Sequence, residues 1–200
     1  MTRSLRIIVA DDEQFMLNYY QEILPALGHE VVCAAQTGHE LIEKCKATNP
    51  DLIITDIKMP DMDGIDAVKG LSANAPVPAI LVSAYYDDDL IRRAEADHIM
   101  AFLTKPIKQQ DLATTIALTL RRFEQFQALR KESADLKQAL EDRKVIERAK
   151  GLLMKKANLD EQSAFRRLQY LARDNNKKLV EIANTVLLAE QAFQPPDKPK

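Results

Sequence analysis

Hydrophobic and polar positions follow two rhythms along this chain. In the front half, short apolar runs recur at Leu5–Ala10, Val31–Ala35, Leu52–Thr55, Ala79–Val82 and Ala101–Thr104. Continuous apolar runs rich in β-branched residues predict strands buried on both faces. Between them lie amphipathic stretches at Gln14–Leu27, His39–Ala47, Ile65–Leu71 and Asp88–Ala96, and another begins at Gln110. Strands alternating with helices predict an α/β fold, a doubly wound, five-stranded parallel sheet with right-handed crossovers.

The back half changes period. From Gln110 to about Lys156 there is no proline, and the only glycine is Gly151. The stretch is built from good helix formers. Leu112, Ile116, Leu120 and Phe123 recur at spacings of three and four. Leu129, Leu136, Leu140 and Val145 follow less regularly, with a slip around Arg130–Ser133. This seam predicts a coiled-coil dimer with a stutter; the alternative is one long helix lying on its own domain. After Lys156 the pattern breaks. Asp160 is placed to cap a helix reaching about Asp174, with Ala164, Leu168, Leu171 and Ala172 on one face. Asn175–Lys178 reads as a loop. A last helix from about Leu179 to Gln191 turns Leu179, Ile182, Ala183 and Val186 inward. The proline-rich end, Gln194–Lys200, is expected to be disordered. The predicted organisation is an α/β domain over 1–120, a helical linker over 121–135 continuous with its last helix, a small all-α three-helix module over 136–190, and a tail over 191–200.

Composition narrows the function classes. Apolar residues make up 46% and charged residues 29% of the 200 positions, with 5 Gly and 9 Pro. These values suit a globular chain and exclude collagen-like or wholly disordered classes. No apolar run approaches the roughly 18 residues that span a bilayer, and the N-terminus lacks a signal-peptide pattern. With only Cys33 and Cys45 there is no disulfide framework, so a cytoplasmic protein without membrane association is expected. Charge is unevenly spread: residues 1–120 hold 10 basic and 18 acidic side chains, and residues 121–200 hold 18 and 12. An acidic front and a basic back imply different partners, a phosphate polymer being one candidate for the back.

The candidate chemistry lies at the strand ends. In such a sheet, ligands bind outside the carboxyl ends of the strands. Four predicted strands end there in Asp11-Asp12, Asp56, Ser83 and Lys105. An Asp after a strand is ordinarily a cap or turn residue, and Asp12 is placed to cap the helix that follows. An acid pair, an acid, a hydroxyl and an amine together point further. Three carboxylates with one internal countercharge suit Mg²⁺, which takes oxygen ligands. Asp56, central in the set, is the candidate nucleophile toward a phosphoryl group. Asp11 and Asp12 are the candidate metal holders, with Ser83 and Lys105 left to meet phosphoryl charge. A cis peptide at Lys105-Pro106 would aim the lysine inward.

The strings IIVADDE, DLIITDIKMPDMDG, ILVSAY and FLTKP resemble the receiver domain of two-component response regulators over about residues 5–120. The resemblance implies that Asp56 is the phospho-acceptor. It implies that Asp11, Asp12, Asp56 and the backbone carbonyl of Lys58 hold Mg²⁺, and that Ser83 and Lys105 contact the phosphoryl group. Phe102 takes the aromatic switch position beside Ser83. Such domains accept a phosphoryl group from a sensor histidine kinase and hydrolyse their own aspartyl phosphate; no other enzymatic activity is expected. Two features stand apart. His98 occupies a place where the family usually has Gly, and Asp87-Asp88-Asp89 opens a helix, where acids interact favourably with the N-terminus.

The segment from about Leu136 to Leu188 resembles an ANTAR domain through Arg143, Ile146, Ala149, Lys150, Gly151, Leu153, Met154, Ala164, Leu168, Ala172, Ile182 and Ala183. That family is a three-helix RNA-binding output module. It recognises paired hairpin loops in nascent leader RNA and prevents transcription termination, usually as a homodimer promoted by phosphorylation. Arg143, Lys150, Lys155, Lys156 and Arg166 are the candidate RNA contacts. Arg143 and Lys150 fall two helical turns apart on one stripe. Phe165 and Tyr170 are expected in the core, which limits base stacking. Val180 stands where relatives often carry a polar cap, so that cap is either supplied by Asn176 or weak. The alternatives are a helical output that binds a protein partner or duplex DNA, and a phosphatase. The DNA reading lacks an evident helix-turn-helix. The phosphatase reading lacks the second acid of an Asp-x-Asp, because Asp56 is followed by Ile57 and Lys58.

Overall fold

The computed structural model describes residues 3–71, 76–84 and 99–192. The helix expected at Asp88–Ala96, the Asp87–Asp89 run, His98 and the Gln194–Lys200 tail lie outside the described residues. The chain divides into two compact units between Gln127 and Ala128, and each is taken by itself.

In the first unit, β1 (Arg6–Ala10), β2 (Glu30–Ala35), β3 (Leu52–Asp56), β4 (Ala79–Ser83) and β5 (Ile99–Thr104) form one sheet in the order β2-β1-β3-β4-β5. All pairings are parallel, with Ile8 opposite Ile53 and Thr55 opposite Leu81. Helices α1 (Gln14–Ala26), α2 (Gly38–Thr48), α3 (Gly64–Leu71) and the start of α4 (Gln109–Ala157) complete it. Alternate strand residues serve opposite faces. Ile7, Val9, Leu52, Ile54, Ile80 and Val82 pack with Leu17, Tyr20 and Leu24 of α1 and with Leu112 and Ile116 of α4. Ile8, Ala10, Ile53 and Ala79 pack with Leu41 and Cys45 of α2 and with Ala67 and Val68 of α3. Two covered faces explain why the strands read as unbroken apolar runs. Each such aliphatic side chain contributes about 1.5–3 kcal/mol by leaving water.

Local signals set the element ends. Thr37 caps α2, its Oγ1 accepting from Glu40 N, while Glu40 Oε2 accepts from the N–H of Gln36, just before the cap, satisfying two backbone donors at that end. Gly28 takes φ +86° after α1, a conformation that costs glycine least, and His29 N then donates to Leu24 O. The sheet order reverses at β1, which has β2 on one side and β3 on the other. The carboxyl ends of β1 and β3 therefore flank the crevice where such sheets bind ligands.

In the second unit, the end of α4 packs with α5 (Glu161–Asp174) and α6 (Leu179–Ala192). Ala149, Leu168, Ala172, Ile182 and Ala183 are buried together, with Val145, Ile146, Leu153 and Val186 against them. The small side chains let the helices approach closely. Asp160 caps α5, its Oδ1 accepting from Ser163 N at 2.9 Å. At the start of α6, Glu181 Oε2 accepts from Lys178 N at 2.8 Å. Glu181, and not Asn176, therefore serves that end. Residues 128–141 of α4 are exposed throughout, including Leu129, Leu136 and Leu140. No helix among the described residues is long and apolar enough to cross a membrane.

Candidate functional site

Asp11 follows β1 and is fully buried, and Asp56 closes β3 at 6% exposure. Asp11 N donates to Ala35 O, and Asp11 Oδ1 accepts from Glu13 N at 3.0 Å. Asp56 Oδ2 accepts from Lys58 N at 3.0 Å, which holds Lys58 beside the carboxylate. Asp12 is exposed and does not cap α1; the N-cap position is Glu13, without a side-chain bond. Ser83 ends β4, buried at its edge, and its carbonyl accepts from Lys105 N at 2.9 Å. The Lys105-Pro106 peptide is cis.

Lys105 brings the set together. Its Nζ lies 3.0 Å from Asp11 Oδ2, 3.1 Å from Asp56 Oδ1 and 3.4 Å from Glu13 Oε1. Burial pushes the carboxyls of Asp11 and Asp56 above the ordinary carboxylate range, although Lys105 pulls both down. Burial alone would depress the Lys105 ammonium; the bonds and charges of Asp11 and Asp56 outweigh it and hold it well above the ordinary lysine value. The lysine is thus a fixed cation, and the acids around it still outnumber it.

That excess fits a divalent cation. Asp11, Asp12 and Glu13 offer oxygens lying within 4.8 Å of one another, a hard donor set of the kind Mg²⁺ takes. Glu13 belongs to this cluster and to the Lys105 network. The sequence reading gives it no role, although it is the third acid of the Asp11-Asp12-Glu13 run.

The loop after Asp56 is packed against the backbone. Thr55 Oγ1 donates to Asp56 O at 2.9 Å. A Cβ on Gly64 would lie 2.1 Å from that same oxygen, so the first turn of α3 reaches its place only because residue 64 has no side chain. Phe102 on β5 is half-buried against Ile57, Ile65 and Leu81.

The predicted contacts of the second unit do not form one set. Arg143, Lys155, Lys156 and Arg166 are exposed. Lys150 differs from them: it is 9% exposed, with Nζ 2.6 Å from Glu147 Oε2 and 2.8 Å from Glu161 Oε1. Both carboxylates raise its pKa. An ammonium held between two acids links α4 to α5. The placing of Phe165 and Tyr170 in the core is corrected, for they are 37% and 58% exposed.

Comparison with known proteins adds independent findings. Residues 7–117 match the response regulator receiver domain and residues 134–187 match the ANTAR domain. Over 182 residues, 91% of this chain and 89% of the other, the sequence is 38% identical to the transcriptional regulatory protein PdtaR of Mycobacterium tuberculosis. It is 35% identical over 116 residues to the chemotaxis protein CheY of Bacillus subtilis, covering 58% of this chain and 97% of that one. Among solved structures, the response regulator domain of Thermotoga maritima CheB superposes with a TM-score of 0.53 at 30% identity, covering 60% of this chain and 96% of that one.

Proposed function

This chain belongs to the response regulators that join a receiver domain to an ANTAR domain, and on that premise we propose that it is a phosphorylation-controlled RNA-binding antiterminator. Its receiver takes a phosphoryl group on Asp56 from a sensor histidine kinase. Its ANTAR domain binds hairpin loops in nascent leader RNA, in the cytoplasm, and keeps a terminator from forming.

The observation that carries this reading is the Lys105 ammonium shared between Asp11 and Asp56. An Asp56 oxygen attacks the phosphorus of the kinase phosphohistidine; the P–N bond breaks and its electrons stay with the imidazole. Lys105 is positioned to take up charge on the incoming oxygens, and Ser83 supplies a hydroxyl from the next strand. Asp11, Asp12, Asp56 and the Lys58 carbonyl would hold Mg²⁺, which supplies further charge neutralisation when bound. Water attack on the same phosphorus returns Asp56 and inorganic phosphate, so self-phosphorylation and self-dephosphorylation are the only chemistry proposed.

The added phosphoryl charge draws Ser83 toward it, and Phe102 turns inward. The surface of β5 and the start of α4 then changes its pairing preference. Because α4 contributes to both units, and because its exposed leucines await a partner, homodimerisation on phosphorylation is the proposed link to RNA. The test is binding to a two-hairpin RNA library, with duplex DNA as competitor, with and without beryllofluoride and Mg²⁺. Selective RNA capture that rises with the analogue and is lost in Asp56→Ala is expected. Unchanged RNA affinity and oligomeric state would overturn the switching mechanism. Capture of duplex DNA alone, or of neither nucleic acid, would overturn the RNA reading.

A further inference from the structure

We propose that the outward face of α5, centred on Tyr170, is a stacking platform for an unpaired RNA base, with Arg166 and Arg173 holding the flanking phosphates. This rests on the RNA-binding reading of the second unit and names the surface and the chemistry that serve it. Ala164, Leu168 and Ala172 are the buried stripe of α5. At 100° per residue, Gln162, Arg166, Gln169, Tyr170 and Arg173 fall on the opposite side, and all five are exposed. None of the five is acidic; the exposed acid on that side is Asp174, at the last position of the helix.

Tyr170 is unusual among them. The residue is 58% exposed. The Arg167 guanidinium lies 5.9 Å from the ring centroid, within the range of a cation–π contact. That contact restrains the phenol on the helix surface and leaves ring area open to a ligand. Among the described residues, no carboxylate pairs with Arg166, Arg167 or Arg173, in contrast to Lys150, which pairs with Glu147 and Glu161. Unpaired guanidiniums around an exposed aromatic ring match what single-stranded RNA requires: cations for the backbone and a π-face for a splayed base. Duplex nucleic acid has no free base face to give, so the expected occupant is a hairpin loop. The Gln169 amide on the same side can read a base edge.

The test uses the full chain with beryllofluoride and Mg²⁺, and a hairpin RNA selected on the wild type from a library with a randomised loop. Tyr170→Ala is expected to weaken binding about tenfold or more while the dependence of log affinity on log salt keeps its slope. Tyr170→Phe, which retains the ring, is expected to stay within about threefold. Arg166→Ala and Arg173→Ala are each expected to reduce the salt slope by about 0.7. Circular dichroism melts check the fold, and Tyr170→Leu replaces the alanine variant if that one unfolds. If Tyr170→Ala binds within about twofold of a tightly binding wild type, the platform is overturned while the RNA reading stands. The same holds if the arginine variants lower the slope and no Tyr170 variant changes affinity. If the wild type selects no hairpin at all, the RNA reading itself fails, and the platform with it.

Discussion

Lys105 Nζ lies 3.1 Å from Asp56 Oδ1, and this pairing does not fully offset the cost of burying the acid. Burial keeps the folded-state pKa of Asp56, and of Asp11, above the ordinary 3.8. A carboxyl with a raised folded pKa binds its proton more tightly in the native chain. Its stabilising contribution is therefore complete below about pH 3.8 and is lost as pH rises through the raised value. At neutral pH the ionised pair destabilises the metal-free protein. Asp56→Asn removes one of those charges and is expected to raise Tm at pH 7 without Mg²⁺. The gain should shrink at pH 4. Mg²⁺ should raise the Tm of the wild type more than that of the variant. Calorimetry at the two pH values, with and without the ion, checks this; a lower Tm for the variant at pH 7 would contradict it.

Gly64 gives a steric test of the same loop. A methyl group there would meet the Asp56 carbonyl at 2.1 Å, and backbone on both sides leaves little room to yield. Gly64→Ala is expected to cost about 1–3 kcal/mol in urea unfolding. It should also slow phosphorylation from a small-molecule phosphodonor, because relief requires Asp56 or the first turn of α3 to shift. Gly70→Ala is the control, for its added Cβ would meet only Ile42 Cδ1 at 3.5 Å.

The exposed leucines of α4 make the dimer proposal testable apart from phosphorylation. Leu136 and Leu140 are 60% and 58% exposed, large apolar side chains mostly open to solvent among the described residues. Leu136→Lys with Leu140→Lys should lower dimer content in sedimentation measurements with beryllofluoride, by about tenfold or more in dissociation constant. Phosphorylation of Asp56 should be unaffected. An unchanged equilibrium would mean that the dimer, if formed, uses another surface.

Much of the receiver was legible because its sheet is covered on both sides. Ile7, Ile53 and Leu81 had to be apolar whichever face they served, so the strands stood out as runs, and Asp11, Asp56, Ser83 and Lys105 stood out as their polar ends. What spacing alone missed depends on other elements. The Cβ clash at Gly64 arises from β3 lying against α3, and the contact of Glu13 with Lys105 joins residues far apart along the chain. Tyr170 is a different case. The spacing of Ala164, Leu168 and Ala172 already places it on the outward side, a signal that the general preference for buried aromatics overrides. The motif residue Lys150 carries charge in the sequence, but its partner Glu161 belongs to the next helix.

Lys150 and Arg143 therefore separate a structural cation from a binding one. Both belong to the same stripe by sequence, yet Lys150 lies between Glu147 and Glu161 while Arg143 is exposed. Removing Lys150 leaves two carboxylates facing each other where α4 meets α5. Lys150→Ala is expected to lower the melting temperature of the helical unit, with Glu161→Gln partly restoring it because one of the opposed charges is then gone. Arg143→Ala should leave the melt unchanged and reduce the salt slope of RNA binding. Thermal melts and salt titrations on the same two variants settle the assignment. A Lys150 variant that melts like the wild type but loses salt dependence would return that residue to the RNA interface.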